Sequence, residues 1–121
     1  MSSGSRMDEN GQWIYYDWPA ADTQAQITLP ANADKIWVID RIDFGFDSIP
    51  AAAKELTVNF SGSADWALPV TSDGPHSWVS KDADYVAVRG DRETAVTITL
   101  AADTGGAKGY LNVWAHLERF V

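Results

Sequence analysis

Two histidines are the only side chains of this sequence that titrate near neutral pH, so acid–base chemistry would have to start from them. His76 follows Gly74-Pro75 in a predicted turn, and His116 lies in an alternating apolar segment that predicts a strand. Serine hydrolases commonly carry their nucleophile in a Gly-x-Ser-x-Gly turn, and the sequence contains no such pentapeptide. Zinc needs three or four convergent ligands, which two isolated histidines do not supply. We therefore expect no catalytic residues, no cofactor and no enzyme activity.

Carboxylates are numerous enough to suggest two other chemistries. The chain has 17 acidic and 9 basic residues and a formal net charge of −8. Calcium takes hard oxygen ligands from loops, and glycosidases use two carboxylates at a set distance. The aspartates that could serve are Asp40, Asp43, Asp47, Asp65, Asp73, Asp82, Asp84, Asp91 and Asp103. They lack EF-hand spacing, and turns favour aspartate for local reasons. The sequence leaves open whether a calcium ion is bound. A small metal-dependent or glycosidase-like enzyme is the second alternative function.

Six tryptophans are the most informative residues in a chain of 121. Tryptophan suits a core, an interface or a platform beneath a sugar ring, because it joins a large apolar surface to one polar handle. Two of the six share a strand side with polar groups, a mixture typical of subunit interfaces. The predicted subunit-interface or ligand face comprises Trp37, Arg41, Tyr110, Trp114 and His116. The tryptophans near predicted turns, which are candidates for stacking on a saccharide, are Trp13, Trp18, Trp66 and Trp78.

The elements that must position these residues are strands, because apolar residues recur at every second position. The clearest predicted strands cover 36–46, 55–60, 96–100 and 110–118, and shorter ones cover 12–17, 26–29, 65–70, 76–80 and 84–88. In the strand over 36–46, one side carries Ile36, Val38, Asp40, Ile42, Phe44 and Phe46. Asp40 is the single polar residue on that side. Pro69 cannot donate to a ladder, so its strand is predicted at a sheet edge.

The spacing of these strands predicts an all-β fold, an antiparallel jelly-roll-like β-sandwich of about eight strands. At most one short helical turn is expected, over 48–55 with Ser48 as its N-cap. The length suits a single domain, which we assign to residues 12–121, with residues 1–11 as a flexible N-terminal segment that is partly foreign to the native chain.

Composition also limits the partners and the compartment. The absence of cysteine excludes disulfides and thiolate metal sites. No apolar run reaches 18 residues and no secretion signal is present, so neither a membrane span nor export is expected. The acidic balance repels phosphate backbones and anionic lipid, so we expect no nucleic acid and no membrane as partners.

Three runs in the later part of the chain resemble known proteins. They are DGPHSW at 73–78, TAVTITLAA at 94–102 and GAKGYLNVWAH at 106–116. Together they look like small β-sandwich virion structural proteins of tailed bacteriophages and gene transfer agents. The resemblance implies a head decoration, head-spike or tail-associated protein that forms a homotrimer or another symmetric homo-oligomer. It also implies contacts with other virion proteins, synthesis in a bacterial cytoplasm and a location in the virion.

Two function hypotheses of different classes follow. The first is a non-enzymatic virion structural module that acts in oligomeric assembly or in host attachment, where a host-surface saccharide is a candidate ligand. The alternative is a carbohydrate-binding module that uses the loop tryptophans as stacking platforms. Strand order, oligomer number and position in the particle are left open by the sequence.

Overall fold

A computed structural model describes residues 2–7, 11–59, 64–79, 88–89 and 94–119. Its strands are β1 (Ser2–Met7), β2 (Trp13–Trp18), β3 (Ala25–Leu29), β4 (Lys35–Phe46), β5 (Lys54–Asn59), β6 (Ala64–Val70), β7 (His76–Val79), β8 (Val88–Arg89), β9 (Val96–Leu100) and β10 (Gly109–Arg119). The described part of the chain is free of helix, and so of any helix that could span a membrane.

The strands form two antiparallel sheets that pack face to face. Sheet A has the order β1-β2-β10-β4-β7, with β8 also paired to β4, and sheet B has the order β3-β9-β5-β6. The pairs β2–β10, β3–β9, β4–β7 and β5–β6 show that the chain doubles back as one long hairpin, which is then rolled into two layers. This is a jelly-roll arrangement, and the predicted fold class is confirmed.

The core lies between the sheets and is filled by alternate residues of each long strand. β9 buries Val96, Ile98 and Leu100, and β10 buries Leu111 and Val113, as the period of two predicts. Burial of each such side chain stabilises the fold by about 1.5–3 kcal/mol. These stripes hold the sheets together and so determine which side chains remain on the outer surfaces.

Strand β4 departs from the predicted alternation. Its core-facing residues are Trp37, Ile39, Ile42, Phe44 and Phe46. The register against β10 shifts between Trp114 and Ala115, which leaves Asp40 as the extra residue of a β-bulge. Asp40 is also the polar residue that interrupts the apolar side in the sequence. The prediction of one unbroken alternation through 36–46 is therefore wrong, because the bulge turns the side chains before it to the opposite face.

Two edge strands, β6 of sheet B and β1 of sheet A, can be compared with the predictions from the sequence. The strand that contains Pro69 is the edge strand of sheet B, as predicted. Residues Ser2–Met7, which we expected to be flexible and outside the domain, instead form β1 and pair residue by residue with β2. Serine and glycine contribute little side-chain packing, but the backbone hydrogen bonds of an antiparallel pair do not depend on side chains.

The connection before β5 has no helical turn in the structure. The backbone N–H of Ala51 donates to the carboxylate of Asp103 at 3.0 Å, so a contact with a distant loop takes precedence over local helix propensity. The predicted strand over 84–88 lies outside the described residues except for Val88 in β8.

Candidate functional site

Trp37 does not belong to the face predicted for it. Its side chain is only 3% exposed, and its indole Nε1–H donates to the carbonyl of Pro30 at 2.7 Å. The ring packs edge-on against Tyr15, with 6.0 Å between centroids. The prediction of Trp37 as an interface or ligand residue is wrong because the bulge at Asp40 turns it into the core.

The other predicted face residues lie together on the outer face of sheet A. Tyr110, Trp114 and His116 alternate along β10 with residues of the core cluster, so they point away from it. Arg41 follows the bulge and is exposed on the neighbouring strand β4. The structure therefore brings four of the five predicted residues onto one surface.

Only part of the predicted set of stacking tryptophans is on a surface. Trp18 is 48% exposed, whereas Trp13 and Trp78 are partly buried and pack against the core, which leaves less of each ring for a saccharide. Trp13 and Trp18 are five positions apart on β2, and residues an odd number of positions apart on a strand face opposite sides of the sheet. The side chain of Trp66 lies outside the described residues.

Tyr16 is a face residue that sequence reasoning missed. It has the same parity as Trp18 on β2, and the two rings lie 4.7 Å apart between centroids. The available signal was its position two residues before an exposed tryptophan. Tyr16 extends the aromatic surface from β10 onto β2.

Asn112 lies at the centre of the outer face. Tyr110 and Trp114 stand two residues before and after it on β10 and so share its side of the sheet. Its direct cross-strand partners are Tyr16 on β2 and Asp43 on β4. Directly opposed side chains begin about 4.5–5.5 Å apart at their Cβ atoms. Asn112 is thus flanked by aromatic residues on three sides and by a carboxylate on the fourth.

A hydrogen bond fixes the orientation of this central amide. Trp18 Nε1–H donates to Asn112 Oδ1 at 2.9 Å. The carbonyl end of the amide is therefore occupied, and its nitrogen retains two N–H donors. Within the described part of the chain these donors have no acceptor. Asn112 can donate both of them to a ligand.

Asp43 is held by three hydrogen bonds beside the central amide. Arg41 donates from Nε to Oδ1 at 2.8 Å and from a terminal nitrogen to Oδ2 at 2.9 Å. Ser77 Oγ donates to Oδ1 at 2.6 Å. The guanidinium of Arg41 also lies 5.0 Å from the ring centroid of Trp114, in a cation–π contact. These contacts order a charged pair at the edge of the aromatic cluster.

Two glycines leave room for the tyrosine rings. Gly45 is the direct partner of Tyr110, and Gly4 is the direct partner of Tyr16. A Cβ atom on Gly45 would lie 2.7 Å from Tyr110 Oη, and one on Gly4 would lie 2.9 Å from Tyr16 Oη. Each tyrosine ring therefore extends across its neighbouring strand, which makes this part of the sheet a shallow aromatic surface.

The phenol of Tyr110 stays protonated at physiological pH. Burial raises its pKa above 10.0, and the negative charges of Asp43 and Asp73 raise it further. A neutral phenol can donate one hydrogen bond and accept others. Tyr110 therefore adds a polar group as well as a ring to the face.

His116 lies between two carboxylates next to this surface. Its Nδ1 is 2.8 Å from Asp40 Oδ2 and its Nε2 is 3.0 Å from Glu118 Oε2. Both contacts are hydrogen bonds only when both nitrogens carry protons. Burial lowers the pKa of His116, but the bonds to Asp40 and Glu118 and their charges outweigh burial and raise it above 6.5. When its ring is protonated, His116 forms an ion pair with both carboxylates, which is a structural role.

The ring of His76 also contacts neighbouring residues. Its Nε2 lies 3.1 Å from the carbonyl oxygen and 3.2 Å from the hydroxyl of Ser72. Its ring stacks on Phe44, with 5.4 Å between centroids. His76 thus contacts one serine hydroxyl, and within the described residues neither histidine belongs to a cluster of three side chains that could hold a metal ion.

Several loop aspartates accept hydrogen bonds from the backbone. Asp103 is 2% exposed and accepts from the N–H groups of Ala51 and Ala107. Asp47 accepts from the N–H of Lys108 at 2.8 Å. In the described ranges, no three His, Asp or Glu side chains are placed to hold a metal ion. Candidates that lie outside those ranges, wholly or in their side chains, are Asp65, Asp82, Asp84 and Asp91.

Comparison with known proteins yields similarities of fold at low sequence identity. No protein-family model and no curated protein matches the sequence. A family 4 carbohydrate-binding module is 13% identical with a TM-score of 0.45, and the match covers 96% of this chain and 79% of that one. The CBM36-1 domain of a multidomain xylanase from the hindgut metagenome of Trinervitermes trinervoides is 9% identical with a TM-score of 0.46, covering 100% of this chain and 92% of that one.

A third solved structure is a family 61 carbohydrate-binding module in complex with β-1,4-galactotriose. It is 11% identical with a TM-score of 0.36, and the match covers 98% of this chain and 88% of that one. Identities and TM-scores in this range are too low to assign a shared function, so function has to be argued from the outer face itself.

Proposed function

We propose that the protein binds a saccharide on the outer face of sheet A and performs no chemistry on it. The observation that carries the proposal is the position of Asn112, whose two free amide donors lie among Tyr16, Tyr110 and Trp114. A sugar ring presents C–H groups that pack on aromatic rings and hydroxyls that need directed hydrogen-bond partners. The face supplies both kinds of group side by side.

The polar groups of the face are ordered before any ligand arrives. Trp18 fixes the amide of Asn112, and Arg41 fixes the carboxylate of Asp43. Because these side chains already hold one geometry, binding costs little additional conformational entropy. The strands beneath them are tied to the core, so the surface is a rigid platform.

The same surface supports a second candidate function, that of a subunit interface in an oligomeric virion module. Trp18 on β2 and Arg41 on β4 are both exposed, and tryptophan and arginine are among the residue types that dominate protein interfaces. Light scattering at micromolar concentrations separates the two candidates. A trimer whose assembly is lost on Trp18→Ala favours the interface, and a monomer that binds sugar favours the saccharide site.

Calorimetric titration with neutral xylo-, gluco-, manno- and galacto-oligosaccharides tests the main proposal. Asn112→Ala removes the free donors, and we expect it to weaken affinity about tenfold, the effect of roughly one net hydrogen bond. Thr28→Ala is the control, because Thr28 is exposed on sheet B away from the site. The proposal fails when no oligosaccharide of the panel binds, or when Asn112→Ala binds as tightly as the wild type.

A further inference from the structure

The Arg41–Asp43 pair is not saturated by its internal hydrogen bonds. A guanidinium has five N–H donors, and Arg41 commits two of them to Asp43. A carboxylate accepts about four hydrogen bonds, and Asp43 accepts two from Arg41 and one from Ser77. Oδ1 takes two of these three bonds, so the remaining acceptor position belongs to Oδ2.

Both side chains of the pair are partly open to solvent, and Asp43 is adjacent to the central amide. The side chain of Arg41 is 48% exposed and that of Asp43 is 21% exposed. Asp43 is directly opposite Asn112 on one side and Ser77 on the other. The guanidinium of Arg41 also contacts the ring of Trp114, which lies on the same face of the sheet. Within the described part of the chain, one acceptor position and several donors of the pair thus remain without a partner.

We propose that the Arg41–Asp43 pair binds two adjacent hydroxyls of a neutral sugar, and that Asp43 makes the site select neutral over acidic saccharides. One hydroxyl donates to Asp43 Oδ2, and its neighbour accepts from Arg41. This inference rests on the proposed saccharide function and adds to it the ligand class. An ordered pair with one acceptor beside several donors matches two neighbouring hydroxyls, each of which can both donate and accept.

The carboxylate of an acidic sugar does not satisfy the same groups. It can accept from Arg41, but it has no proton to donate to Asp43 and places a second negative charge beside it. The charge of Arg41 is already offset by Asp43, so little attraction remains to compensate this repulsion. The formal net charge of −8 adds repulsion at long range.

The test compares neutral oligosaccharides with uronic-acid oligomers of equal length by calorimetric titration. It uses the wild type, Asp43→Asn and a charge-matched control, Glu55→Gln. Glu55 is exposed on sheet B, so its substitution removes the same charge from the molecule and leaves the outer face of sheet A intact. Circular dichroism verifies that each variant keeps the β fold.

We expect the wild type to bind neutral oligomers at least about tenfold more tightly than acidic ones, and Asp43→Asn to reduce this ratio by about tenfold. Glu55→Gln should leave the ratio unchanged. A salt series on the wild type needs no variant. Neutral binding should be insensitive to salt, and acidic binding should strengthen as salt screens the repulsion.

Two outcomes overturn the inference. One is a wild type that binds acidic oligomers as tightly as neutral ones, and the other is a ratio that Asp43→Asn leaves unchanged. In both cases, binding that still depends on Asn112 leaves the proposed saccharide function standing. Binding of neither class refutes that function and the inference with it, so the two failures are distinguishable.

Discussion

His116 and Asp40 are joined by a 2.8 Å contact between Nδ1 and Oδ2 at the residue where β4 bulges. Gln12 donates to the same aspartate oxygen at 2.9 Å. The contact therefore links β10 and the residue before β2 to the point where β4 changes faces. Side chains before the bulge, such as Trp37, enter the core, and Arg41 after it reaches the outer face.

The charge on His116 should make stability depend on pH. Burial lowers the pKa of His116, but Asp40 and Glu118 outweigh burial, so the folded pKa lies above the unfolded value of 6.5. Stability from this ion pair is fully present below the unfolded pKa and is lost as pH rises through the folded pKa. Because the ring is partly exposed, we expect a loss of about 1 kcal/mol or less in unfolding free energy.

Urea unfolding at a series of pH values measures this effect. His116→Gln should remove the pH dependence in this window. His76→Gln is the control and should retain it, because among the described residues the His76 ring has hydrogen-bond contacts with Ser72 and with no carboxylate. A wild-type pH dependence that persists in His116→Gln contradicts the assignment.

The sequence predicted the fold well where strands are regular. β9 and β10 keep an unbroken period of two, so their core residues and the outward placement of Tyr110, Trp114 and His116 followed directly. The edge position of the strand with Pro69 followed from a missing donor. In these cases local pattern and tertiary structure agree.

The sequence failed where one residue changes parity. A bulge reverses every side chain on one side of it, and the only trace in β4 is the polar Asp40 among apolar neighbours. Trp37 was therefore assigned to the wrong face. The central role of Asn112 was also missed, because it depends on cross-strand partners at Tyr16 and Asp43 that only the register reveals.

Trp37 and Trp114 should respond differently to the same substitution. Trp37→Phe removes the donor to Pro30 and leaves a void in the core, so we expect a loss of about 1–3 kcal/mol in unfolding free energy. Trp114→Phe changes a partly exposed ring and should cost less. Chemical denaturation checks the order, and a larger cost at Trp114 would contradict the described burial of the two residues.

Gly45 and Gly4 offer a matched pair of alanine substitutions. A Cβ atom at Gly45 would lie 2.5 Å from the carbonyl oxygen of Asp73, which is fixed because it accepts from Phe46 N–H at 2.7 Å. We expect Gly45→Ala to cost about 1–3 kcal/mol. Gly4→Ala meets the end of the Tyr16 ring, which can move, so its cost should be smaller. Thermal unfolding compares the two variants. Equal losses of stability would indicate that the loop at Asp73 moves to make room for the added Cβ atom.

The carboxylate of Asp103 should contribute stability that is lost at acid pH. The hydrogen bond from Ala51 N–H is the main cause that lowers the pKa of Asp103 below 3.8; burial opposes it, and the bond from Ala107 N–H adds to it. A lowered folded pKa means that this stability is present above the unfolded pKa and is lost as pH falls through the folded pKa.

Asp103→Asn replaces one acceptor oxygen by an NH₂ group that must face a backbone N–H, so either the bond from Ala51 or the bond from Ala107 is lost. We expect a lower melting temperature at neutral pH and a weaker decline at acid pH than in the wild type. Asp47→Asn is the comparison, because Asp47 is exposed and its carboxylate accepts one backbone bond from the described residues, that of Lys108. Since water can replace the bond that an exposed carboxylate loses, Asp47→Asn should shift the melting temperature less. Equal shifts in the two variants would mean that burial of Asp103 contributes nothing to holding these loops together.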